Sequence, residues 1–253
     1  IVMSGPAVAW HGGASYDQSG DIVWWFDFSA VTTPGTYFIY DPLNAKRSFT
    51  FDIRADVYTE VLKKSVRMFY YQRSGFAKTA PFAYDWADGD SHLGTQQDLD
   101  CRLVTNPVPG TSKQLQGGWF DAGDYNKYVN FAYEPIHDLS LAYIERPEVW
   151  TDDYNIPESG NGIPDLLDEM KWELDWLRRM QLANGSMLMK VSVTDFSAAS
   201  PPSADSGARR YGPAQASATR TAASMFAIAA IAYNLSGHPA MQLYADTLEQ
   251  AAR

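Results

Sequence analysis

What this chain lacks narrows it first. It holds a single cysteine, Cys101, in 253 residues. That rules out an intramolecular disulfide framework and leaves the redox compartment open. No run approaches 18 apolar residues, so no segment reads as a membrane-spanning helix. Basic residues are in deficit: 20 Lys and Arg against 30 Asp and Glu give a net charge of −10. This balance argues against nucleic acid or an anionic membrane as partner, because phosphate binding draws on clustered Lys and Arg. A neutral polysaccharide makes no such demand. No secretory leader is visible, but Ile1 falls in what reads as mid-strand sequence, so that lack carries no weight.

What is present describes a globular chain with ample core, 45% hydrophobic and 20% charged. Aromatic residues reach 14%, with 8 Trp and 15 Tyr, a supply that suits sugar binding as well as core packing. Residues 1–54 read as β structure. Ile22, Trp24, Phe26 and Phe28 share one side of an extended run, and Phe49, Phe51 and Ile53 alternate with polar residues. Three or four strands cannot close a sandwich, which takes about seven.

From Asp56, a plausible N-cap, the period changes to that of helices. A first helix carries Val57, Leu62, Val66, Met68 and Phe69, and others are expected over 135–145, 164–181 and 239–253. The third presents Leu166, Met170, Leu174 and Leu177 as one apolar stripe. Its early acids and late arginines suit the helix dipole. Residues 225–233 are apolar all round, which predicts a helix buried on every side. Two stretches, 74–118 and 183–213, lack periodicity and read as long loops. The first gathers Asp85, Asp88, Asp90, His92, Asp98 and Asp100, and leaves calcium as a candidate ligand there; a solvated acidic loop is the alternative.

The chemistry concentrates in Gly117-Gly118-Trp119-Phe120-Asp121-Ala122-Gly123-Asp124-Tyr125-Asn126-Lys127-Tyr128. Two carboxylates stand three residues apart, bordered by glycines that allow a sharp bend and by rings that lower local polarity. An ordinary Asp-rich turn is the bland reading. An EF-hand fits worse, since its loop needs oxygen ligands at positions 1, 3 and 5 and Gly at 6.

This run resembles the signature of glycoside hydrolase family 9, the inverting cellulases, usually GGWHDAGDYxKY. Phe120 replaces the usual His. Phe69 to Gly75 before it and Asn161 to Gln181 after it agree with the family in order. The resemblance implies a mainly α, multi-domain chain: part of an (α/α)6 barrel over 55–253, preceded over 1–54 by the C-terminal part of an immunoglobulin-like β-sandwich. Five or six helices against the twelve of that barrel point to an incomplete chain.

The implied activity is an endo-acting β-1,4-glucanase, a secreted, periplasmic or extracellular cellulase acting as a monomer on cellulose or a related β-glucan. The alternatives are an exo-acting cellobiosidase, β-glucosidase or glucosaminidase, and a non-catalytic carbohydrate-binding fragment. A helical sugar epimerase or lyase would call for a His-rich site that is missing here. By match to the motif, Asp124 is the base and Asp121 its helper. The family's acid, a Glu, has no counterpart here; Glu134, Glu145 and Glu158 read as surface. Tyr211 resembles a substrate-lining tyrosine of the family, with packing on the barrel rim as the alternative. Trp119 and Tyr125 are candidates for stacking on pyranose faces, Trp119 equally a core residue, and Trp86 is a weaker candidate. No cofactor is required. The family's zinc positions carry Ser74, Ser91, His92 and Phe120, so zinc is expected to be absent and no residue is assigned to a metal. A family calcium site falls on Gln215, Thr219 and Arg220, a poor cation set.

Overall fold

The computed structural model describes residues 1–197 and 199–253. Its contacts divide the chain into two compact units, Ile1–Val61 and Leu62–Arg253.

The first unit has six short strands: β1 (Val8–Ala9), β2 (Trp24–Trp25), β3 (Gly35–Tyr37), β4 (Tyr40–Asp41), β5 (Lys46–Arg47) and β6 (Phe51–Ile53). They form three separate antiparallel ladders, β1 with β2, β3 with β6 and β4 with β5. Phe51 and Ile53 are half-buried, and Phe28 packs on Phe51 with ring centres 5.2 Å apart. Phe49, expected on the same face, is 98% exposed. Two-residue and three-residue strands bring no second sheet over their rings. No side chain of residues 1–61 is fully buried, and the ladders do not close a sandwich.

The second unit is built on helices. α1 (Thr59–Gln72) begins three residues after Asp56, whose carboxylate instead takes Arg54 at 3.3 Å. It is followed by α2 (Tyr133–Glu145), α3 (Asp165–Met180), α4 (Ala216–Leu235) and α5 (Pro239–Ala252). The apolar stripe of α3 is buried throughout. α4 packs on α2 and on α5, its alanines letting the neighbours come close. Tyr233 and Tyr244 close the contacts, their hydroxyls donating to Leu167 O at 2.6 Å and Asp175 Oδ1 at 2.8 Å. α4 is not buried on every side as its composition suggests: Ala227, Ile231 and Leu235 form an exposed strip. Its neighbours α2, α3 and α5 cover only part of the helix. Among the described residues no helix is long and apolar enough to cross a membrane.

The stretches without periodicity are not bare loops. β7 (Arg102–Leu103), β8 (Lys127–Tyr128), β9 (Lys190–Val193) and β10 (Arg209–Tyr211) make one sheet in the order β7-β10-β9-β8. β7 and β10 run parallel and the other pairs antiparallel, with Lys127 opposite Val191 and Tyr211 also opposite Val191 on the other side. Strand β8 follows directly from the two carboxylates of the motif.

Candidate active site

Gly117 and Gly118 turn the chain into the site with φ of 90° and 77°. A Cβ on Gly118 would lie 2.7 Å from Trp176 Cγ, so the close approach to α3 needs glycine as much as the left-handed backbone does. The next residues lie along the end of α1: Ser74 donates its N–H to Gly118 O at 2.8 Å, and Phe120 donates to Gln72 O at 2.9 Å. Asp121 N–H to Asn126 O at 2.9 Å and Tyr125 N–H to Ala122 O at 3.1 Å close a tight loop. Tyr125 sits at φ 61°, a costly conformation for a bulky residue. Three contacts hold it there. Arg209 Nη2 donates to its carbonyl at 2.8 Å, its hydroxyl donates to Ala199 O at 3.0 Å, and its ring packs on Phe120 at 5.2 Å.

The loop presents Asp121 exposed and Asp124 half-buried. The Asp121 carboxyl is pushed up to about 6, first by partial removal from solvent, then by the charge of Asp124 and a hydrogen bond with it. Asp124 takes two donors from one residue: Asn126 N–H reaches Oδ1 at 3.2 Å and Asn126 Nδ2 reaches Oδ2 at 2.9 Å. The two carboxyls, close enough to interact, thus stand in unequal surroundings.

The three rings expected to line the substrate are covered instead. Trp119 is 7% exposed. It packs on Phe69 at 4.5 Å, donates Nε1–H to Glu169 Oε1 at 2.9 Å and donates its backbone N–H to Glu173 Oε2 at 2.6 Å. Tyr125 is buried in the loop's own packing, and Tyr211 on β10 is buried with its hydroxyl donating to Thr111 O at 2.8 Å. A loop made of glycines and small residues has few side chains with which to anchor itself, and the flanking rings supply that anchorage. Trp86 remains largely exposed. Glu134 and Glu145 lie on the surface as expected. Glu158 is half-buried, its carboxylate receiving Arg73 Nη1 and Nη2 at 2.9 and 3.0 Å.

Beneath the loop lies a charged network that the sequence reading missed. Asp98 is fully buried between Lys127 Nζ and Arg209 Nε, each 2.6 Å away, and the two cations hold its carboxyl below the usual range despite burial. Lys127 also donates to Leu115 O and Gly117 O. Arg73 is buried against Glu169, with Nη2 to Oε2 at 2.8 Å. Lys127 and Arg209 fall within conspicuous runs and Asp98 among the loop acids. Only folding pairs residues 29 and 111 positions apart.

Other acids of that loop are engaged too: Asp88 accepts from Ser203, and Asp100 accepts from Arg102 at 2.9 Å and Ser112 at 2.5 Å. Thr219 Oγ1 accepts from Met187 N–H. At the family's zinc positions, His92 Nε2 pairs with Asp205 at 3.1 Å, its ring lies edge-on to Phe120 at 5.3 Å, and Ser91 Oγ takes the N–H of Gly75. Burial and then Arg209 push His92 down to about 4. Two hydroxyls, one imidazole and a phenyl ring do not fit the four-ligand sulfur and nitrogen set of structural zinc. Among the described residues no cluster of three or more His, Cys, Asp or Glu is arranged to hold a metal ion.

The family model for Glycosyl hydrolase family 9 matches residues 58–253. A xyloglucan-specific endo-beta-1,4-glucanase of Bacteroides ovatus is 37% identical over 178 residues, 67% of this chain and 29% of its own length. Endoglucanase D of Acetivibrio thermocellus is 32% identical over 218 residues, 85% of this chain and 34% of its own. Among solved structures, a metagenome-derived glycoside hydrolase family 9 endoglucanase superposes with a TM-score of 0.79 at 33% identity, over 92% of this chain and 42% of that one. The chain spans about a third of the length of these curated relatives.

Proposed function

This chain belongs to glycosyl hydrolase family 9, and on that premise we propose that the whole protein is an inverting endo-β-1,4-glucanase in which Asp124 is the base and Asp121 its partner at the attacking water. The observation that carries this reading is the unequal pair on its closed loop. Asp124 is aimed by two N–H donors, while Asp121 beside it is raised to about 6. Inversion asks for a carboxylate that takes a proton from water and, across the sugar, an acid that protonates the leaving oxygen, about 6.5–9.5 Å from the base. The unequal pair supports the first half of that machinery. Bond cleavage by this route uses carboxyls and water, with no cofactor in the step.

Residues 55–253 would form part of an (α/α)6 barrel, and residues 1–54 the end of an immunoglobulin-like module. With Trp119 covered, the candidate ring for stacking a pyranose becomes Phe131, 62% exposed and 4.7 Å from Tyr128. A polymer of this kind cannot enter a cell intact, so the enzyme is expected to act outside the cytoplasm.

In the whole protein, Asp124→Asn is expected to lower turnover by roughly a thousandfold or more while glucan binding survives. Unchanged turnover would remove Asp124 from the mechanism. Viscosity of a soluble β-glucan that falls well ahead of reducing-end release supports endo action, and a parallel course supports an exo enzyme.

A further inference from the structure

We propose that Asn126, the position the family motif leaves open, is the positioning residue of the base: its side chain sets the direction of the Asp124 carboxylate and ties it to the sheet. This rests on the assignment of Asp124 as base. Asn126 is fully buried, and each end of its amide is engaged. Nδ2 donates to Asp124 Oδ2 at 2.9 Å and to Tyr128 Oη at 3.2 Å, while Oδ1 accepts the N–H of Val193 on β9 at 3.0 Å.

The orientation of the amide is decided by chemistry. A backbone N–H can only donate, so the oxygen must face Val193 and the NH2 must face Asp124. Asn126 also gives its own N–H to Asp124 Oδ1, and its carbonyl takes the N–H of Asp121. One residue therefore touches both acids and fixes both oxygens of the base. Two N–H donors, one on each oxygen, fix the plane and direction of the carboxylate. The ionisable groups around the pair are Asp121 and Tyr128, and Lys190 Nζ lies over the Tyr128 ring at 5.3 Å. Among the described residues none of these gives an N–H to Asp124, and that task falls to Asn126.

The test is Asn126→Asp in the whole protein. This change keeps the shape and the acceptor for Val193 N–H, and replaces the donor facing Asp124 by a second acceptor. The expected result is kcat lower by about ten- to a hundredfold, the size of one hydrogen bond to a charged group, with KM for a soluble β-glucan little changed. The acidic limb of the kcat/KM profile should move to higher pH. Wild-type kcat with an unmoved limb would overturn the proposal and leave Asn126 as a tether of β9 only.

A second measurement needs no variant at this position. With asparagine 15N-labelled, the Asn126 side-chain amide of the native protein should titrate with the midpoint of that acidic limb, and a flat resonance would count against the role. If Asp124→Asn is inactive while Asn126→Asp behaves as wild type, only the positioning role fails. If Asp124→Asn is active, the base assignment fails first.

Discussion

Glu173 lies inside the packing of α3, with Oε2 on the Trp119 N–H, and burial pushes its carboxyl up to about 8. The ordinary value is 4.5, so between about pH 4.5 and 8 the unfolded chain releases a proton that the folded chain keeps. Stability attached to this group is full below that window and is lost as pH rises through it, at up to about 1.4 kcal/mol per pH unit. Glu173→Gln keeps an oxygen for Trp119 and removes the titration. The drop in melting temperature from pH 5 to pH 8, followed by circular dichroism, should therefore be smaller in the variant. Parallel melting curves would show that Glu173 is not the group responsible. Asp165 and Asp168, raised to about 6 and about 7 by burial, act with the same sign, so some slope remains. At this scale the sequence misled in a consistent way. It shows Trp119 beside a carboxylate pair but not the two glutamates, 50 and 54 residues on, that hold the ring and its amide.

At the scale of elements, Asp98 ties the segment before the motif to β8 through Lys127 and to β10 through Arg209. Removing one partner of a buried ion pair leaves charge without compensation, at a cost of about 3–5 kcal/mol. Asp98→Asn leaves two cations, and is expected to lower the denaturation midpoint accordingly in urea titrations; a change below about 1 kcal/mol would show that solvent reaches the site. The helices were readable because a period of 3.6 is a local property: α2, α3 and α5 begin and end within about two residues of where caps, prolines and apolar spacing place them. The four-stranded sheet was not. Its strands are two to four residues long, too short to show alternation, and their partners come from distant segments. α3 carries both lessons, with its apolar stripe plain in the sequence and its buried acids Glu169 and Glu173 disguised as an exposed face.

For the whole molecule, the family was legible because Asp121 and Asp124 keep a fixed spacing within a run of glycines and rings, supported by ordered matches on either side. Which rings meet sugar was not legible, since a motif keeps residues that support a loop alongside those that touch a ligand. The first 61 residues show the same limit: alternation at Phe51 and Ile53 is real, yet alternation alone cannot supply the sheet that would cover Phe49. Cys101 has a further consequence. It is fully buried, hydrogen-bonded through its backbone to Lys113 in both directions, and its thiol is pushed up to about 12 by burial and then by Asp98. A lone sulfhydryl sealed in this way reacts only when the surrounding chain opens. Its modification by a chromogenic disulfide reagent should be slow in the native protein and faster in Asp98→Asn, and equal rates would mean that the two are uncoupled. The protein thus carries its own clock for how often the ground beneath its carboxylates gives way.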